Sequence, residues 1–148
     1  NPLFLGCADY RSTIASNGES SGFTFPEEMR RHADKGTALV TDKDPGDAEI
    51  AEVVSQAAAH SCIVLGTYNG HILQGQLRLA KALAATGLPM ILVALRNPYD
   101  LRNMPNHVAA LAGWEYTRPL FDALWPVLNG TAQPTGKLPL LTLTKAAK

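Results

Sequence analysis

Two short stretches hold most of the residues with side chains able to do chemistry. The first, Gly66–Gln76, brings a phenol (Tyr68), an amide (Asn69) and an imidazole (His71) onto a backbone relaxed by Gly70 and Gly75. Such a set suits hydrogen bonding to neutral polyols or to a partner surface. The second, Leu95–Leu101, carries Arg96, Asn97, Tyr99 and Asp100. A guanidinium followed four residues later by a carboxylate is expected to pair with it, unless Asp100 caps a short helix. Contact with a substrate or partner domain is the other use open to these residues. His71 as an acid or base would need an orienting carboxylate or a nucleophile, and its own loop contains neither. It is therefore expected to be a surface or interdomain residue. His32, His60 and His107 fall at helix ends or in loops, as ordinary polar residues. No pair of them has metal-ligand spacing with a third partner, so neither a metal nor a cofactor is expected.

The elements that must position these residues follow from the hydrophobic pattern. Apolar runs alternate with segments of helical period, the arrangement of βα units feeding a parallel sheet. Strands are expected at Leu3–Cys7, Thr37–Thr41, Ser61–Gly66, Met90–Leu95 and, more weakly, Val108–Gly113. Helices are expected from Pro26 to about His32, from an Asp44 N-cap with Pro45 as first residue, from Leu73 to Thr86 before Gly87, and from Pro119 to Asn129-Gly130. In the second of these, Ile50, Val53, Val54, Ala57 and Ala58 mark one buried face. Pro126 should kink the last helix or split it in two. Gly136–Leu143 is a candidate edge strand, where proline is tolerated. The fold class is thus α/β: an open, mostly parallel sheet of five or six strands with helices on both faces, in one domain over residues 1–148. Ligands of such sheets gather where the loops leave the carboxyl ends of the strands. Here those loops are Ala8–Ser12, Thr67–Gly75 and Leu95–Asp100.

Composition removes several function classes. The 148 residues carry 13 basic and 13 acidic side chains, a formal net charge of zero, without the basic footprint of a nucleic-acid binder. Neutrality also leaves nothing to oppose a homodimer. No apolar run is long enough to span a bilayer. The glycine-rich turn that cradles phosphate is missing after the first strand, and no GxGxxG or Walker pattern occurs. The polar stretch Arg11–Gly22 reads as a solvated loop, and Gly66-Thr67 stand where a phospho-acceptor aspartate would end the third strand. Asn129-Gly130-Thr131 has the form of a glycosylation sequon and equally of a helix stop. Cys7 and Cys62, near opposite ends of neighbouring strands, are too far apart for a disulfide and read as small buried apolar residues. The chain starts at Asn1 without methionine, which reads as excision from a longer protein and leaves localisation open.

Several segments, in order, resemble the C-terminal domain of family 3 glycoside hydrolases. They are Ile63–Asn69, Gly75-Gln76-Leu77, Lys81-Ala82-Leu83, Gly87-Leu88-Pro89, Val93–Leu101, Val127–Gly130 and Gly136–Pro139. The likeness covers roughly residues 58 to 140, while the first third matches only as a generic strand-loop-helix. The resemblance implies a flavodoxin-like sheet packed beside an N-terminal (β/α)8 barrel that carries the aspartate nucleophile of a retaining mechanism. In the β-glucosidase-like branch a glutamate in the loop after the third strand of this domain supplies the general acid. Thr67–Gln76 contains neither Asp nor Glu. The sequence therefore looks like the β-N-acetylhexosaminidase branch, in which the barrel itself provides an Asp-His acid/base pair. Glu115, after the fifth strand, is the nearest stray carboxylate and reads as structural. The implied role is an accessory domain without catalytic residues. It would line the substrate cleft or the barrel interface with Tyr68, Asn69, His71, Arg96, Asn97 and Tyr99, and stabilise the barrel. A free-standing carbohydrate-binding or oligomerisation module on the same fold is the alternative, because fold alone does not define function.

Overall fold

The computed structural model describes residues 1–9, 22–102 and 104–138. Five strands, β1 (Pro2–Cys7), β2 (Thr37–Thr41), β3 (Cys62–Thr67), β4 (Met90–Ala94) and β5 (Ala109–Ala112), form one sheet in the order β2-β1-β3-β4-β5. Every neighbouring pair is parallel. The strand order reverses between β1 and β3, the switch point of a flavodoxin-like sheet. Each strand lies within a residue or two of its expected place. The candidate sixth strand falls largely on residues 139–143, outside the described residues, as does most of the 11–22 loop.

Helices α1 (Phe25–His32) and α4 (Arg118–Leu128) cover one face, α2 (Asp47–Ala57) and α3 (Gln74–Ala84) the other. Strand residues alternate between the two cores. Leu3, Leu5, Ile63, Leu65 and Leu92 pack with Ile50, Val53, Leu79 and Leu83. Phe4, Val64, Val93 and Leu95 pack with Phe25, Met29, Phe121 and Leu124. With both faces covered, the central strands need no polar side, which is why they read as unbroken apolar runs.

Local chemistry sets the helix ends. Thr24 caps α1, its hydroxyl accepting from Glu27 N–H and donating to the Glu27 carboxylate, with Pro26 in the first turn. Acidic Glu27 and Glu28 open this helix and Arg30, Arg31 and His32 close it, complementing its dipole. The start of α2 corrects the sequence expectation: the N-cap is Gly46, not Asp44. The Asp44 carboxylate instead accepts from Gly75 N–H at 2.7 Å, satisfying an orphan donor at the start of α3. Only glycine fits there, since a Cβ on Gly75 would lie 2.5 Å from the Pro45 carbonyl oxygen. Of the two outcomes expected at Pro126, the split into two pieces does not occur, for α4 continues through it as one helix. It sits in the last turn, and its carbonyl is taken by Ala132 N–H at 2.8 Å as the chain leaves.

Candidate functional site

The loops after β3 and β4 leave adjacent parallel strands, so residues a fixed distance past each strand end face one another. The backbone bond from Leu95 N–H to Thr67 C=O, at 2.9 Å, extends the β3–β4 pairing one step into the loops. Beyond it the two loops are joined side chain by side chain. Arg96 Nη1 donates to the Tyr68 hydroxyl at 2.7 Å, and Asn97 Nδ2 donates to Asn69 Oδ1 at 2.6 Å. The rings of His71 and Tyr99 stand with centroids 5.7 Å apart. All six residues singled out in the sequence are thus brought together, and they largely satisfy one another.

Within the β3 loop, Asn69 adopts φ 56°, a left-handed conformation that asparagine tolerates better than most residues. That turn lets its carbonyl accept from Ile72 N–H and Leu73 N–H, at 3.0 and 3.1 Å. The buried Gln76 amide clamps the loop base. Its oxygen accepts from Tyr68 N–H at 2.8 Å, while its nitrogen donates to the carbonyls of Tyr68 and Lys43. Tyr68 and Asn69 are themselves buried, whereas Arg96 and Tyr99 are exposed.

Asp100 overturns two expectations. It neither pairs with Arg96, whose guanidinium reaches Tyr68 instead, nor caps a helix; it lies inside a single 3₁₀ turn, Pro98–Leu101, whose cap is Asn97. Its side chain is wholly buried and enters the β3 loop. Oδ2 accepts from Gly70 N–H at 2.9 Å, and Oδ1 accepts from His71 N–H at 2.7 Å and faces His71 Nδ1 at 3.1 Å. The loop that contains no carboxylate in sequence therefore holds one in space, and His71 does have an orienting partner. Sequence spacing missed this because the two residues are 29 apart and meet only through the β3–β4 pairing.

Two further residues at this edge went unnoticed in the sequence. Trp114, just past β5, is 49% exposed at φ 69°, an unusual backbone state for a bulky side chain. Tyr116 is buried, its hydroxyl accepting from Phe25 N–H at 2.7 Å and donating to the Cys7 carbonyl at 3.0 Å. Its ring meets that of Tyr68 edge-on, with centroids 5.4 Å apart. Burial pushes the Tyr116 phenol well above its usual range and the Cys7 thiol up to about 12. Both cysteines are free thiols, but Cys62 is half-buried rather than buried. Glu115 is exposed, and its carboxylate accepts from Thr117 Oγ1 at 2.8 Å. Among the described residues no group of three His, Cys, Asp or Glu is placed to hold a metal, and no helix is long and apolar enough to cross a membrane.

The parallel 2-1-3-4-5 sheet, covered on both faces and with its third and fourth loops interlocked, is the fold of a family 3 glycoside hydrolase C-terminal domain, as the sequence resemblance implied. The match is to β-N-acetylglucosaminidases of that family. One is the enzyme from Paenibacillus sp. str. FPU-7, with a TM-score of 0.80 and 25% identity over 97% of this chain. Another is a fungal multi-domain enzyme described as having a GCN5-related glucosamine N-acetyltransferase region, with a TM-score of 0.72 and 18% identity over 93% of this chain. This chain spans 28% of the first and 15% of the second. No family model matches the sequence, and no curated protein does.

Proposed function

We propose that this chain is the accessory C-terminal domain of a retaining glycoside hydrolase of the β-N-acetylhexosaminidase type, a single domain over residues 1–148. It docks on a (β/α)8 catalytic barrel through the carboxyl edge of its sheet and shapes one wall of the substrate cleft. One observation carries the reading. Of the four large hydrophobic side chains exposed among the described residues, three follow the carboxyl ends of successive strands in the sheet: Ile72 after β3, Tyr99 after β4 and Trp114 after β5. Exposed apolar side chains gathered at one end of a domain mark a contact surface. Arg96, also exposed there, supplies a polar rim.

Among the described residues of the loops after β3, β4 and β5, two carboxylates occur, Asp100 and Glu115. Retaining cleavage needs a nucleophilic carboxylate as well as an acid/base group, both reaching the sugar. Asp100 is enclosed and hydrogen-bonded by the β3 loop, and Glu115 is bonded to Thr117. The chemistry, removal of terminal β-linked N-acetylglucosamine, is then performed by the barrel.

The test is an assay of the purified chain against an aryl N-acetylglucosaminide, together with the coding sequence upstream. Silence of the isolated chain, and an upstream barrel of about 300 residues with a nucleophilic aspartate, are the expected results. Turnover that survives purification and disappears when Asn69 or His71 is replaced would overturn the accessory role. Micromolar binding of N-acetylglucosamine by the isolated chain would favour a free-standing binding module instead.

A further inference from the structure

Asp100 does more than hold a turn, because its carboxylate also faces the imidazole of His71. Each of its oxygens already accepts a backbone N–H, Oδ2 from Gly70 and Oδ1 from His71. His71 Nδ1, 3.1 Å from Oδ1, therefore meets an acceptor and must supply the proton itself. The neutral ring then has its lone pair at Nε2. No hydrogen bond to Nε2 is formed among the described residues, and Nε2 is not among their buried unpartnered atoms; the side chain is 29% exposed. The half-exposed Tyr99 ring stands alongside.

We infer that Asp100 is a positioning residue that fixes His71 in the Nδ1–H tautomer, leaving Nε2 as a prepared acceptor for a neutral O–H or N–H donor on the docking edge. The Arg102 guanidinium, with Cζ 4.9 Å from the ring centre of the neighbouring Tyr99, offsets the Asp100 carboxylate behind the imidazole, so a neutral donor is the match. The source of the donor rests on the accessory-domain reading; the tautomer does not.

Long-range proton–nitrogen spectra of the imidazoles in the whole 148-residue chain test this directly, with a His71→Gln variant to identify the signals. In the neutral ring, a protonated Nδ1 and a bare Nε2 are expected. Asp100→Asn should shift the balance toward Nε2–H, because the amide has one acceptor oxygen in place of two, and whenever that oxygen serves Gly70 N–H the NH2 faces Nδ1. A purely structural Asp100 would lower the melting temperature without moving the proton. A wild-type His71 protonated at Nε2 overturns the inference, and this result decides the matter alone if Asp100→Asn does not fold. Titration with N-acetylglucosamine and, separately, with the barrel domain identifies the donor. An Nε2 shift with the sugar assigns a ligand hydroxyl or amide, and a shift with the barrel alone assigns an interdomain contact. In either case His71→Ala should weaken that binding by roughly 5- to 10-fold, one neutral hydrogen bond's worth. If the barrel binds while Nε2 is unmoved by either partner, the acceptor role is refuted and the docking reading stands.

Discussion

Truncating Asp100 to alanine should cost about 2–4 kcal/mol of stability, and the structure shows how that figure is composed. Three donors lose their acceptor: Gly70 N–H, His71 N–H and His71 Nδ1. The bond to Gly70 is buried, and leaving its N–H unsatisfied costs roughly 1–3 kcal/mol. The bond to the His71 backbone is only partly buried, so water replaces part of it and about 1 kcal/mol is lost. The imidazole is 29% exposed and turns to solvent at little cost. Against these losses stands the relief of no longer burying a carboxylate, which keeps the total well below the sum of three charge-assisted bonds. A loss of this size is a large part of the roughly 5–15 kcal/mol that holds a domain together. Urea unfolding monitored by tryptophan fluorescence should show a lower midpoint with an unchanged slope. Asp100→Asn should fall between alanine and wild type. An unfolding free energy for Asp100→Ala within about 0.5 kcal/mol of wild type would refute the reasoning. The turn would then be held by the Asn69 carbonyl and its two donors alone.

Three further outcomes follow from the core behind the site. Tyr116→Phe should destabilise by about 2–4 kcal/mol in the same assay, because Phe25 N–H and the Cys7 carbonyl both lose their buried partner. Gly66→Ala should cost about 1–3 kcal/mol through overpacking, since the added Cβ would lie 2.5 Å from Phe25 Cδ1 and 2.8 Å from Leu95 Cδ1. The third concerns pH. Burial raises the Cys7 thiol from 9.0 to about 12, so the native state holds this proton longer than the unfolded chain does. Its contribution is complete below pH 9 and is lost as pH rises toward 12, by up to about 1.4 kcal/mol per pH unit. The raised Tyr116 phenol acts in the same direction at higher pH, and Cys7→Ala should flatten the slope between pH 9 and 10, where the phenol of the unfolded chain is only partly ionised and Tyr116 contributes less. An unchanged slope in that variant would show that Cys7 is not the group responsible.

The family resemblance lay in the segments of residues 58 to 140, and it anticipated both the sheet and the carboxyl-edge cluster. These features depend on local physics: apolar runs of strand length, helix periods, and glycines and prolines at their boundaries. Tyr68, Asn69, His71, Arg96, Asn97 and Tyr99 were nameable for the same reason, because each follows the end of a recognisable strand. How they connect was not legible. Arg96 and Asp100 are four residues apart and looked like partners, yet the 3₁₀ turn at Pro98–Leu101 turns them to different neighbours. Asp44 looked like a helix cap, and it is one for another helix. In both cases spacing along the chain describes which groups can meet within a single helix. The parallel pairing of β3 with β4, and the packing of α2 against α3, bring together residues about thirty positions apart. A buried carboxylate goes to the N–H donors that surround it in space, so the partner of His71 was decided by the sheet.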